Sequence, residues 1–156
     1  RKVKTENNYP YYGSNGISGY TEGYTFEGKN ILLGDQGSQW FNSLHFTDII
    51  DKYNISNHTI NISCKDIINI NYLYYLLKFL DLKIFNKDCA MIPEINFNKF
   101  KCFKIPIPTP EIQEKCIQIY QEKEKFIQSI DDKIEAEKKY IEELKQLSKD
   151  IIHNYC

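Results

Sequence analysis

Pro106, Pro108 and Pro110 stand directly before a stretch that holds neither proline nor glycine through to Cys156. Pro106 and Pro108 keep the residues before them extended, and Pro110 is pre-organised for the first position of a helix behind a Thr109 cap. The pattern predicts a helix from about Glu111 to His153, ~43 residues and a rod of ~64 Å at ~1.5 Å per residue. A compact domain has no use for an element that long. The rest of the chain has to fold without the rod, and the rod needs a partner.

Its apolar positions say what kind of partner. Ile127, Ile130, Ile134, Ile141, Leu144 and Ile151 fall on alternating three- and four-residue steps, interrupted by the polar Glu137 and Ser148. That is the seam of a coiled coil. Phe126, Tyr140 and Leu147 lie on the neighbouring row and widen the stripe, so the rod is expected to pack on more than one neighbour. An ordinary helical bundle is the plainer reading, but the chain contains no second helical pattern of similar length to complete it.

The remainder reads as a globular domain with a small sheet. All seven glycines lie within the first 37 residues and punctuate short aromatic or β-branched runs, the signature of hairpins and tight turns. Tyr9 to Tyr12 leads into a Gly13-Ser14-Asn15-Gly16 turn, and Tyr24 to Phe26 and Asn30 to Leu33 are expected as strands joined through Glu27-Gly28-Lys29. Residues 39 to 57 show no clear periodicity and are expected to form a long functional loop. Within it Trp40 is either a core anchor or an exposed stacking group. Thr59 to Ser63 alternates as a half-buried strand. Asn69 to Leu82 is predicted to be an amphipathic helix with Leu73, Leu76, Leu77 and Leu80 on one face. Ala90 to Ile92 and Cys102 to Ile107 are further strand candidates. The expected class is α+β, with a compact mixed α/β domain over residues 1–108 and a coiled-coil-type helical arm over 109–156.

Composition narrows the chemistry. Residues 1–108 carry 12 Lys or Arg against 10 Asp or Glu, and residues 109–156 carry 8 against 11, so neither part is a basic patch. Five cysteines are scattered without a Cys-x-x-Cys pair, which predicts reduced thiols and neither a zinc site nor a disulfide frame. No apolar run approaches the ~20 residues of a membrane span and no signal-peptide pattern opens the chain, so a cytoplasmic location without membrane contact is expected. His45, His58 and His153 are far apart, and no metalloprotease, serine-hydrolase or P-loop motif occurs. No catalytic residue, metal ligand or cofactor is assigned. Glu27-x-Lys29 with Glu22 upstream is the weak trace of a metal-dependent nuclease.

Taken in order, these pieces resemble the specificity subunits of type I restriction-modification systems. The resemblance is carried by Tyr9-Pro10-Tyr11-Tyr12-Gly13-Ser14-Asn15-Gly16, Gly19 to Leu33, Gly34-Asp35-Gln36-Gly37-Ser38 and Ser56-Asn57-His58-Thr59. It continues through Asn71-Tyr72-Leu73-Tyr74-Tyr75-Leu76-Leu77, Pro93-Glu94-Ile95-Asn96, the proline hinge, Glu111-Ile112-Gln113 and the arm. The resemblance implies a non-catalytic target recognition domain that reads half of a bipartite double-stranded DNA site. It also implies a conserved-region helix that spaces two such domains and docks methyltransferase subunits and, where the complex restricts, a restriction subunit. A full subunit of this kind carries two domains and two arms. One of each here points to an excerpt, to the terminal half of a longer subunit, or to a half-subunit that pairs with a second through the arm.

Placement on predicted turns makes Asn15, Lys29, Gln36, Gln39 and Asn42 candidate base-reading residues, with Lys2 and Lys4 as phosphate contacts. An Asn or Gln in a turn more often caps backbone groups. Ile127, Ile130, Ile134, Ile141, Leu144 and Ile151 are the candidate helix-pairing residues. Two other classes stay open, a structural coiled-coil adaptor without DNA specificity and the stand-alone nuclease.

Overall fold

A computed structural model of the chain describes residues 8–47, 51–87 and 91–155, with side chains to Ile151. It divides into two compact units, Arg1–Glu114 and Lys115–Cys156. The architecture is mixed α+β, with two small sheets and short helices followed by one long helix.

In the first unit, β1 (Tyr9–Gly13) and β2 (Gly16–Thr21) form an antiparallel hairpin. β6 (Lys52–Ile55) lies parallel to β1 and antiparallel to β3 (Phe26–Glu27), completing a sheet of order β2-β1-β6-β3. The second sheet places β4 (Ile31–Gly34) between β5 (Leu44–Phe46) and β7 (Thr59–Ile62), all antiparallel. β3 and β4 therefore belong to different sheets and do not form the hairpin expected from their spacing. The expected 39–57 loop is also corrected. It contains a 3-10 turn at Trp40–Asn42 and the strands β5 and β6.

β4 explains where the core sits. Ile31, Leu32 and Leu33 are all fully buried, as expected of a continuous apolar strand covered on both faces. Ile31 and Leu33 share one face and join Trp40, Leu73, Leu77, Leu82, Phe85 and Ile95 in the main cluster. Behind β4, the Tyr53 hydroxyl donates to Asn61 Oδ1 at 3.2 Å and accepts from Asn30 Nδ2 at 2.8 Å, tying β6 to the second sheet.

α1 (Ile70–Phe79) begins at an Asn69 cap, whose side chain accepts from Asn71 N at 2.9 Å. It buries Tyr72, Leu73, Tyr75 and Leu77, so these tyrosines serve packing. The helix stops before the expected Leu82 because Leu80 turns extended and Asp81 caps a new 3-10 turn, Leu82–Phe85. A short helix not foreseen from sequence, α2 (Phe97–Lys101), is capped by Asn96 and sets Phe100 edge-on to Phe85.

Neither late strand candidate forms. Ala90 lies outside the described residues, and Met91 and Ile92 are exposed in a bend. Residues 103–109 run without a ladder, since Pro106 and Pro108 have no N–H to donate. α3 (Pro110–Tyr155) then starts with Thr109 O accepting from Ile112 N and Gln113 N, both at 3.0 Å. Its own backbone N–H and, to a smaller extent, the Thr109 hydroxyl hold the Glu111 carboxyl below the usual glutamate range.

Gln113 is only 2% exposed and fastens the hinge. Its Nε2 donates to Pro108 O at 2.9 Å and Ile67 O at 3.1 Å, and its Oε1 accepts from Asn69 N at 2.8 Å. One amide thus joins the proline run, the loop before α1 and the α1 cap.

Within the second unit the seam is bare. Ile127, Ile130, Ile134, Ile141, Leu144 and Ile151 are 39–51% exposed, and Phe126, Tyr140 and Leu147 more so.

Candidate functional site

One end of the second sheet collects loops from distant parts of the chain. Gly34, the last residue of β4, lies so close to the β1–β2 turn that an added Cβ would fall 2.6 Å from Ser14 O and 2.4 Å from Ser43 Oγ. Only a glycine allows that approach. Gly16 closes the same turn at φ +100° beneath the His45 ring. From the β6–β7 turn, Ser56 N donates to Tyr12 O at 2.8 Å and His58 O accepts from Asp35 N at 3.2 Å. On the far side Gly37 N donates to Pro93 O at 2.8 Å, Ile95 N donates to Asp35 O at 2.7 Å, and Gln36 bridges to Glu94.

This bracing fixes a polar rim. Asn15 sits exposed at the tip of the β1–β2 turn, and Gln36, Gln39 and Asn42 lie along the connection from β4 to β5. Asn42 Nδ2 donates to Gln39 Oε1 at 3.0 Å, which orients both amides. The connection is anchored by Trp40, fully buried with its Nε1 donating to Asn86 Oδ1 at 2.8 Å. Trp40 is therefore the core-anchor alternative, and it lends the neighbouring amides a rigid base.

Of the residues singled out from sequence, Asn15, Gln36, Gln39 and Asn42 come together at this end. Lys29 does not. It precedes β4, on the other side of a strand ~13 Å long, with its ammonium 4.5 Å from the centre of the Phe46 ring. Lys2 and Lys4 lie outside the described residues. Asp35 and His58 belong to the rim and were not singled out, although both fall in turn segments, Gly34 to Ser38 and Ser56 to Thr59, that the sequence displays. His58 Nδ1 is 3.4 Å from Asp35 Oδ1, an ion-pair separation without hydrogen-bond geometry, so that oxygen is buried with no hydrogen-bond partner. Beneath the rim burial pushes the His45 imidazole below its ordinary pKa, and its Nε2 is buried without a partner.

Among the described residues no three His, Cys, Asp or Glu side chains gather as a metal site. No helix among them is long and apolar enough to cross a membrane. A rim of amides over a rigid core can offer paired donors and acceptors to a planar ligand edge.

The sequence profile of the type I restriction modification DNA specificity domain matches residues 2–146, which takes in both the rim and most of the arm. The chain belongs to that family. Among similar specificity-domain proteins, a Haemophilus influenzae protein named as a type I restriction enzyme specificity subunit is 29% identical over 75% of this chain and 30% of its own length. The EcoprrI specificity subunit of Escherichia coli is 27% identical over 67% of this chain and 25% of its own length. The MjaIX specificity subunit of Methanocaldococcus jannaschii is 32% identical over 61% of this chain and 21% of its own. The chain thus spans less than a third of the length of these specificity subunits.

Proposed function

We propose that this specificity domain reads one half of a bipartite double-stranded DNA site through the rim of Asn15, Gln36, Gln39 and Asn42. The gathering of four amide side chains from two chain segments on one braced loop end supports this most strongly. Asn and Gln pair bidentately with the N6 and N7 edge of adenine in the major groove, each such pair discriminating by ~1–3 kcal/mol. Lys2 and Lys4 keep the phosphate-contact role assigned from sequence. The chain supplies selectivity while the bond-making chemistry belongs to the methyltransferase subunits it docks and, in a complex that restricts, to a restriction subunit.

The arm completes the role by pairing with a second specificity arm, either another copy or the other half of a longer subunit. An antiparallel register that sets Glu137 opposite Ser148 of the second arm pairs the two polar interruptions with each other. The same register puts Ile134 against Ile151, Ile141 against Leu144, and Tyr140 of the flanking row against Leu147. Parallel pairing in register would bury Glu137 on Glu137 within the seam. The arm then sets the distance between two DNA-reading domains.

Methylation mapping with the cognate methyltransferase subunit tests the reading. The variant Gln36→Ala, Gln39→Ala, Asn42→Ala is expected to relax or change the methylated sequence while assembly continues. An unchanged methylated sequence in that variant would contradict it.

A further inference from the structure

The lysine that stands apart from the rim belongs to a different surface. Phe46 of β5 and Tyr74 of α1 stack with ring centres 4.7 Å apart and planes within 6°. Each ring carries an ammonium, Lys29 at 4.5 Å from Phe46 and Lys78 at 5.5 Å from Tyr74. Lys83 lies 4.4 Å from the centre of Phe41, the ring next to Trp40 in sequence. One cleft opens against Tyr74 of the stack and another against Lys29. The first, of about 360 Å³, is lined by Phe41, Asn42, Leu44, Tyr74 and Lys78 among others. The other, of about 250 Å³, includes Lys29, Asn30, Ser63, Lys65 and Asp66.

We infer that Lys65, Lys29, Lys78 and Lys83 form a track for the sugar–phosphate backbone of DNA. This rests on the reading of the rim as the base-contacting end. Three observations favour that ligand. The track meets the rim at Asn42, which lines the first cleft together with Lys78, so a duplex engaged by the amides passes directly onto the lysines. The four lysines come from separated segments of a domain whose overall charge is close to balance, so the fold concentrates positive charge that the sequence disperses. Two carboxylates interrupt it, Asp66 in the second cleft and Asp81, whose Oδ1 accepts from Lys83 N. Finally, an ammonium already resting on an aromatic face loses less side-chain freedom on meeting a phosphate than a free lysine does.

Such a track contributes affinity without sequence information. Its removal should act equally on every DNA sequence and release fewer counterions, lowering the slope of log K against log salt by ~0.9 per lost phosphate contact. The experiment compares the parent protein, assembled with its methyltransferase subunit, with a Lys29→Gln, Lys65→Gln, Lys78→Gln, Lys83→Gln variant and the matching four Lys→Arg variant. The probes are a duplex of the mapped target sequence and an unrelated duplex, titrated at several salt concentrations, with circular dichroism and complex mass followed alongside. The glutamine variant is expected to lose roughly tenfold or more in affinity for both duplexes, with a salt slope shallower by ~3 to 4. The arginine variant should retain the parental slope, and the methylated sequence should not change. An unaltered slope in a folded glutamine variant overturns the track and leaves the rim standing. Loss of complex assembly with parental DNA binding also overturns it, because the lysines would then meet an acidic protein face. A changed methylated sequence would make them base readers and overturn it too. If the glutamine variant does not fold, a failure of the arginine variant to keep the parental slope is the overturning result. A parent complex without salt-dependent DNA binding overturns the rim and the track together.

Discussion

The same aliphatic residues meet opposite fates in the two units. Ile31, Leu32 and Leu33 of β4 have no exposed surface, whereas the seam residues of α3 are 39–51% exposed. A buried three-residue run is what a central strand covered on both faces needs. An exposed seam from Ile127 to Ile151 of a 46-residue helix is apolar surface without a partner, which a helix in water does not sustain for its own stability. The first unit thus sets the candidate site on a buried core, while the second carries the exposed stripe that the proposed pairing would cover. Gln113 lies just inside the border, its side-chain amide bonded to Ile67, Asn69 and Pro108 of the same unit.

Breaking the core should separate the two fates most clearly. Trp40→Ala removes the fully buried anchor of the rim and is expected to cost about 3–5 kcal/mol, seen as a lower melting temperature with loss of DNA binding. Circular dichroism should retain the helical signal of α3 in that variant, and collapse of the helix together with the core would end the distinction. Next in size, Gln113→Ala strands Asn69 N and two carbonyls and should cost about 1–3 kcal/mol by denaturant titration. A cost near zero would mean that the hinge is held by other groups.

A smaller effect is expected from His45. Burial lowers its folded pKa below the value of 6.5, so the unfolded chain binds the proton first. Its contribution is present above pH 6.5 and is lost as pH falls below that value towards the folded pKa. The parent should therefore lose melting temperature between about pH 7.5 and about pH 5.5, and His45→Gln should lose less. Equal losses would show that other groups set the acid limit.

The seam should act least on the stability of the first unit. Ile134→Asn, Ile141→Asn and Leu144→Asn together are expected to change it by no more than ~0.5 kcal/mol, while light scattering shows loss of pairing. A parental mass would contradict the seam's role. Its direction can be sharpened with all five native cysteines replaced by serine. Glu137→Cys with Ser148→Cys should then cross-link two chains, and Glu137→Cys alone should not. Cross-linking of the single variant would indicate parallel pairing.

How much of this was legible in the sequence follows the same divide. The arm was legible because proline geometry and a heptad are local signals, and the expected start near Glu111 lies one residue from the observed Pro110. β7 and α1 were legible from their periodicity. β5 and β6 were not, because they owe their existence to distant partners. β6 is held between β1 and β3, and no local pattern announces that. The missed α2 has a cap in Asn96 but only five residues. Turn chemistry put Asn15, Gln36, Gln39 and Asn42 on connections, and the fold brings those connections to one end of the second sheet. That Lys29 lies beyond the other end of β4 depends on strand direction, which turns alone do not disclose. The approach of Asp35 and His58 is not legible locally, because it joins segments 23 positions apart in sequence.

The division of labour is tested most directly by exchanging residues 1–114 for the corresponding unit of a specificity subunit with a different target, keeping α3 from Lys115 onward, and mapping methylation with the cognate methyltransferase. The account predicts that the methylated half-site becomes that of the donor while the spacing between half-sites stays that of the parent. A methylated half-site that remained parental, following the arm, would contradict it.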